Sequence, residues 1–327
     1  MNYAVIDLGS NTIRLSVFRY EDNKIITVLH QKEVAGLAGY IRENQIEPEG
    51  IIKACDVLRA FKKIADCFAA ENDIHVFATA SLRGILNKEQ ALEAIQQATG
   101  LLPELLSGDE EARLGFVGAS YFTECENGIM IDIGGASTEL VRFENAQPVC
   151  VASMPIGCLN LYTRFVDKVI PTEKERKKIK KEIRKQFSGL GWNAEENFPL
   201  MIGVGGTVRA AHKLSLDLFA LPKDRNEMDA GVVKEIISKM INNENEIFRA
   251  MQKLIPERTL TFFTGLMIFN EAVKRFGCKS IFISGFGIRE GYFIDRILKE
   301  GDSVSVEGAH GCDRLHAQQG TVMAEIQ

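Results

Sequence analysis

Strand-like apolar runs occupy 4–8, 15–20 and 25–34, and the tetrapeptide EDNK separates the last two. Short apolar runs around such a turn predict three strands, the last two joined as a hairpin. From 48 to about 70 the period lengthens, with Ile51, Ala54, Leu58, Phe61 and Ile64 on one helical face. A strand at 74–80, a helix at 88–98 and a helix opening at Asp109 and running through EEARLGFVGASY follow. The pattern then restarts. Strands at 128–133, 139–143 and 149–156 precede a helix after Gly157 and a strongly charged one over 172–187. A strand at 200–204 runs into GVGGTVRAAHK, helices continue to Phe276, and the strand-like SIFISGFG leads to a last helix from Arg289.

Two successive units of three antiparallel strands, each followed by helix and strand, predict a duplicated α/β fold. TECENG interrupts the apolar pattern, which sets a first domain at 1–124 and a second at 125–300, with the last helix (289–300) packing back on the first. Residues 301–327 lack periodicity and are expected to form a disordered tail.

Composition narrows the function classes. At 46% hydrophobic and 25% charged, the 327-residue chain has the balance of a globular enzyme. A net charge of −5 gives no global reason to expect nucleic acid or an anionic membrane as partner. No apolar run approaches the ~18 residues of a membrane span, and the chain starts in a strand rather than a leader. Seven scattered cysteines without a CxxC pair fit reduced thiols and a cytoplasmic location.

The chemistry concentrates where strands end. Asp7 closes the first run and is followed by Gly9-Ser10-Asn11-Thr12; Asp132 closes the run MIDI and is followed by Gly134-Gly135-Ala136-Ser137-Thr138, with Glu139 just beyond. Backbone N–H groups of such turns converge on phosphate oxygens, and glycine lets the anion approach. An aspartate beside the loop would repel phosphate unless a divalent cation lay between, so Asp7 and Asp132 read as Mg²⁺ holders. A third loop, 203–207, repeats the glycine pattern without an acid. Three such loops in a duplicated fold predict a phosphate site in the cleft between the domains.

DLGSNTIRL (7–15), ATASLRGILN (78–87), SGDEEARLGFVG (107–118), DIGGASTEL (132–140), GVGGTVRAAHK (203–213) and ISGFGIREG (283–291) together resemble the exopolyphosphatase / guanosine-pentaphosphate phosphohydrolase family, in its short two-domain form. The resemblance implies a duplicated actin-like, ribonuclease-H-like fold. It also implies removal of terminal phosphate from inorganic polyphosphate, or of the 5′-terminal phosphate from guanosine pentaphosphate, by attack of water. Carried over by position, Glu111 matches the base for that water, and Asp132 and Glu139, with Asp7, match the acids that organise metal and water. Gly9, Ser10, Asn11, Thr12 and Arg14 match the first phosphate loop, Gly134, Gly135, Ser137 and Thr138 the second, and Gly205, Gly206 and Thr207 the third. Arg83 and Asn87 match a helix start facing the cleft. Mg²⁺ or Mn²⁺ is the implied cofactor, with K⁺ a further cation, and the implied assembly is a monomer or homodimer.

The sequence departs from the pattern at three places. Ala136 stands where a third glycine is usual; a positive φ there would strain alanine by something like 1 kcal/mol. Thr12 replaces serine and keeps the hydroxyl, and Asn160 stands where a cation is common. The basic run EKERKKIKKEIRK (173–185) is a candidate wall for a polyanion channel. Two other readings stay open. An ATP-dependent small-molecule kinase of the same superfamily would need an adenosine pocket, where GFGIREG offers bulky Arg289 and Glu290. A non-catalytic alarmone-binding regulator would have no use for Glu111, Asp132 and Glu139 together.

Overall fold

The structure is a computed structural model that describes residues 1–192 and 198–299, so the tail expected at 301–327 lies outside the described residues. The first half runs β1 (Asn2–Leu8), β2 (Thr12–Glu21), β3 (Lys24–Val34), a small hairpin β4 (Ile41–Arg42) and β5 (Gln45–Ile46), then α1 (Pro48–Ala65), β6 (Ile74–Ala78), α2 (Ala80–Arg83), α3 (Lys88–Thr99), β7 (Glu104–Leu105) and α4 (Gly108–Ser120). The second runs β8 (Gly128–Ile133), β9 (Thr138–Glu144), β10 (Gln147–Met154), α5 (Cys158–Phe165), α6 (Glu173–Ser188), β11 (Leu200–Val204), α7 (Gly205–Leu218), β12 (Glu227–Asp229), α8 (Gly231–Asn242), α9 (Glu244–Leu254), α10 (Phe262–Arg275), β13 (Ser280–Ile283) and α11 (Ile288–Tyr292), which continues as a π-helical turn over Phe293–Leu298.

Each half forms one sheet with one plan. The first is ordered β3-β2-β1-β6-β7 and the second β10-β9-β8-β11-β13-β12. In both, three antiparallel strands are followed by strands parallel to the first, and β12 is an antiparallel addition at the edge. Even the turns correspond. Asp22-Asn23 and Asn145-Ala146, the two-residue loops of the equivalent hairpins, all take positive φ (51°, 58°, 50° and 56°), the turn that suits the right-handed twist of a hairpin. The fold is therefore a duplicated α/β fold of the actin-like type.

The helices cover the sheets with an exchange. One face of the first sheet is packed by α1 and α3 through Leu58, Phe61 and Ile95, and one face of the second by α7, α8 and α10. The opposite face of the first sheet is covered by the end of the chain: Phe293 stacks on Phe18 with ring centroids 5.0 Å apart, and Tyr292 on Phe77 at 5.0 Å. The opposite face of the second sheet is covered by α4, whose Phe116 meets Phe143 at 5.0 Å. Each sheet thus receives a helix from the other half of the sequence. That α4 leaves its own sheet was not legible in the sequence, because Leu114 and Phe116 are equally apolar and face different sheets.

The exchanged helices cross at glycine. A Cβ on Gly291 would lie 1.7 Å from the Leu114 carbonyl oxygen, and one on Gly118 2.0 Å from that of Gly287. Backbone cannot give way as a flexible side chain can. Gly118→Ala or Gly291→Ala should therefore destabilise the protein by about 3 kcal/mol or more in denaturant titration, beyond the ordinary cost of overpacking. Gly115→Ala is the contrast: its nearest neighbour, Met130 Cε, is 3.5 Å away, and the helix gains about 0.5–1 kcal/mol of propensity.

Candidate active site

The strand register explains why acids stand at these loops. Asp7 on β1 pairs with Arg14 on β2, and at the equivalent place in the second half Asp132 on β8 pairs with Glu139 on β9. Directly opposed cross-strand residues lie about 5 Å apart at Cβ. In the first half that neighbour is a cation, and Arg14 reaches the Asp7 carboxylate at 3.4 Å. In the second half it is another acid. One position therefore makes an ion pair in one repeat and a like-charge pair in the other.

The loops turn their amides inward. The Gly134 carbonyl accepts from Cys158 N (2.9 Å) and the Gly135 carbonyl from Leu159 N and Asn160 N (2.9 and 3.1 Å). Since N–H and C=O point oppositely across a trans peptide, the Gly135 and Ala136 N–H groups face away from α5, toward the cavity these residues line. In the first loop the Ser10 carbonyl accepts from Ala38 N (2.9 Å), which turns the Asn11 N–H the same way. Ala136 does not take a positive φ, so the strain expected there is absent. Asn160 also has a defined duty instead of leaving a gap: its carbonyl accepts from Gly157 N (2.8 Å) and its amide donates to Ala136 O (2.7 Å), tying α5 to the loop.

Glu111 reaches the same cavity from the first turn of α4. Arg83 donates to its Oε2 at 2.9 Å and to the Leu106 carbonyl at 3.1 Å. Burial raises the Glu111 carboxyl to about 7, opposed by Arg83 and aided by the charges of Asp7 and Asp132. Glu139 is pushed well above the usual carboxylate range by burial and then by Glu111 and Asp132, and Asp132 is raised mainly by burial. Glu110 points elsewhere. It closes the capping box with Ser107 and binds Arg296 at 2.9 Å, which draws it below its ordinary value, the backbone hydrogen bond being the largest cause.

The third loop is the start of α7. Gly205 has φ 84°, and a Cβ there would lie 2.2 Å from Asp132 Oδ1, so only glycine fits; the Asp132 carboxylate rests at the helix N-terminus, where the dipole favours negative charge. Around it stand four arginines, Arg14, Arg209, Arg258 and Arg289, with Lys32 at the edge. The Arg258 guanidinium lies against Gly206, in the space a side chain would occupy. Arg289 donates to Ser16 Oγ (2.6 Å) and to His30 Nδ1 (2.7 Å), which fixes the His30 proton on Nε2. Burial, with Arg289 next, lowers that imidazole to about 4 and keeps it neutral as an acceptor. Burial, and beyond it the like charge of Arg14, draw Arg258 and Arg289 below the usual guanidinium range.

A cavity of about 170 Å³ joins these parts, far above the ~10–15 Å³ a single water needs. Asp7, Gly9, Ser10, Asn11, Thr12, Arg14, Glu111, Asp132, Gly134, Gly135, Ser137, Glu139, Gly205 and Gly206 all line it. Four of the expected phosphate ligands do not. Asn87 is spent on the edge of β5, bonding both Ile46 N and Ile46 O at 3.0 Å. Thr138 is fully buried and donates to Ile156 O at 2.6 Å. Thr207 turns into the core, where it meets Gly265 and Cys158. Arg83 stands behind Glu111. The basic run is not the wall: α6 binds Glu182 to Arg164 at the end of α5, and Lys180 and Arg184 to Glu271 at the end of α10, away from the starts of those helices at the cavity.

Comparison with known proteins decides the relationship. The profile of the Ppx/GppA phosphatase family matches residues 16–300. The chain belongs to that family. It is 28% identical over 303 residues to a guanosine-5′-triphosphate,3′-diphosphate pyrophosphatase of Aeromonas hydrophila, spanning 88% of this chain and only 58% of that relative. The crystal structure of an Aquifex aeolicus Ppx/GppA family member superposes with a TM-score of 0.77 at 26% identity, covering 93% of this chain and 99% of that one. An exopolyphosphatase from Cytophaga hutchinsonii shares the fold, with a TM-score of 0.78 at 21% identity over 90% of this chain and 97% of that one.

The family resemblance implies a divalent metal, and the donors of the cavity bear on that expectation. Asp7, Asp132 and Glu139 offer only hard oxygen ligands, yet among the described residues no three acidic, His or Cys side chains close on a common point as an all-protein cage. Mg²⁺ suits such a place: it keeps several waters and takes one or two carboxylates beside phosphate oxygens. The residues fit the ion.

Two stability predictions follow from the geometry. Ala136→Gly should lower stability by about 0.5–1 kcal/mol, because glycine adds unfolded-state freedom and relieves nothing, whereas Ala146→Gly should raise it, since φ 56° is a left-handed value. Chemical denaturation of both variants separates the cases. For Glu111, folding raises the carboxyl from 4.5 to about 7, so its stabilising protonation is complete below pH 4.5 and is lost as pH rises through 7. Metal-free Glu111→Gln should therefore gain stability relative to wild type between pH 4.5 and 8, by about 1–3 kcal/mol. A gap that narrows over this range would contradict the burial of an ionisable Glu111.

Proposed function

We propose that the protein is a metal-assisted phosphohydrolase that releases the terminal phosphate of inorganic polyphosphate, with the 5′-terminal phosphate of guanosine pentaphosphate as the other substrate of the same chemistry. One observation carries the reading: a group of carboxylates and a group of arginines share one cavity at the meeting of three glycine loops. Like charges held together on both sides favour a ligand that brings the opposite of each, and a phosphate chain with its cation does so.

Hydrolysis of a phosphoanhydride needs a water in line with the bond that breaks, a group to take its proton, and neutralisation of phosphoryl charge. Glu111, ionised above pH about 7, accepts the proton while the water oxygen bonds to the terminal phosphorus and the bridging P–O bond breaks. Arg83 holds that carboxylate by one oxygen and leaves the other for water. Arg14, Arg209, Arg258 and Arg289 and the inward amides bind the phosphates and stabilise the departing chain. Mg²⁺, held by Asp7 and Asp132 with Glu139 beside them, supplies charge neutralisation and Lewis-acid polarisation when bound. Among the described residues no aromatic side chain lines the cavity, so a nucleobase finds no stacking partner there, which argues against the kinase reading and favours polyphosphate over guanosine pentaphosphate.

Phosphate release from polyphosphate, guanosine pentaphosphate and ATP, with and without excess chelator, tests the reading. Turnover should vanish with chelation while the circular dichroism spectrum stays intact; no release from any of the three overturns it. Glu111→Gln should leave KM roughly unchanged and lower kcat by about 10²–10⁴. Glu110→Gln should keep kcat within about twofold, because its carboxylate faces Ser107 and Arg296 instead of the cavity. Equal small effects would mean that Glu111 is not the base.

A further inference from the structure

Ser153 belongs to none of the three loops, yet it touches both acids' supports. It lies on β10, opposite Glu139 on β9 in the strand register, and its Oγ donates to Glu139 Oε1 at 2.8 Å. On its other side is Gly108, the first residue of α4. A Cβ on Gly108 would lie 2.5 Å from Ser153 Cβ, 3.0 Å from its Oγ and 3.7 Å from Arg83 Nη2. The serine therefore sits where the second sheet meets the first turn of the helix that carries Glu111. Glu139 has acids as neighbours, and the hydroxyls of Ser137 and Ser153 hold its orientation against them, a service a packing contact cannot supply.

We propose that Ser153 is a positioning residue: its hydroxyl, and not its packing against Gly108, fixes the Glu139 carboxylate toward the metal side of the cavity. The proposal rests on the phosphohydrolase reading. Its test is chosen so that the two can fail separately. A partner that orients a metal-binding carboxylate is worth about 10–100-fold in metal affinity or activity.

Three proteins suffice: wild type, Ser153→Ala, and the double variant Gly108→Ala/Ser153→Gly, which moves the methyl group across the contact and restores the packed volume without the hydroxyl. Mn²⁺ is the probe, its free ion counted by electron paramagnetic resonance, with polyphosphate hydrolysis assayed in parallel. Ser153→Ala is expected to weaken Mn²⁺ binding and lower kcat at saturating metal, each about 10-fold or more, with KM for polyphosphate within about twofold. The double variant should stay as impaired as Ser153→Ala. Wild-type Mn²⁺ affinity in Ser153→Ala, or recovery in the double variant, would overturn the proposal, the second by showing that Ser153 acts through packing. Wild type that binds Mn²⁺ without hydrolysing polyphosphate would defeat the phosphohydrolase reading while the Mn²⁺ comparison still decides the role of Ser153.

Discussion

The contact between α4 and α11 is made by main chain against main chain, and the placement of Glu111 in the cleft follows from it. Gly118 and Gly291 let the two helices approach until carbonyl oxygens rest where side chains would be. Each helix is then free to spread its large residues on the sheet of the other half, Phe116 on one and Phe293 on the other. A crossing this tight sets the position of α4 along its axis to within a fraction of its 1.5 Å rise per residue. Glu111 lies seven residues before Gly118, about two turns away, so the crossing fixes where the carboxylate enters the cleft.

Duplication then becomes useful through its asymmetry. Had both repeats kept an Asp–Arg cross-strand pair, the cleft would hold two satisfied ion pairs and little affinity for an added cation. With Asp132 opposed by Glu139, one repeat sets two acids side by side, and the arginines that adjoin Asp132 crowd one another while offsetting only part of that charge. Burial makes both groups costly, as the raised carboxyls and lowered guanidiniums record. Under the proposed function, phosphate and a divalent metal arriving together would relieve both, which is a physical reason for joint binding.

Much of this was legible because the signals are local. An aspartate at a strand end, a glycine turn and a return strand occupy about ten consecutive residues, and the repeat of that pattern points to the sheet ends and to the loops that line the cavity. Errors arose one residue beyond each loop. Thr138 and Thr207 carry the hydroxyls that suit phosphate, but Thr138 is already in the ladder and Thr207 already on the inner face of α7, so alternation and helical rotation take them into the core. Asn87 follows the same rule, with its amide consumed by a strand edge. Arg258, Lys32 and Ser153 were missed for the opposite reason: each reaches the cavity or its supports from an element with no motif of its own. Arg209 and Arg289 lie inside recognisable stretches, three and two positions from the nearest glycines.

The basic helix teaches the same point about charge. Its lysines and arginines look like a polyanion track in sequence, whereas in three dimensions Glu271 gathers two of them, Lys180 and Arg184, together with Lys274 of its own helix, at the far end of α10. The arginines that do face the cavity are scattered over 14, 209, 258 and 289, and no window of sequence contains two of them. A run of like charge can be diluted by water and counter-charges on a convex surface, so it need not signify binding. Four cations brought into one concave site by separate elements cannot be diluted in that way. Asp7 and Asp132 offset only part of their mutual repulsion, so under the proposed function the scattered set, not the contiguous one, is the candidate polyanion-binding feature of the chain.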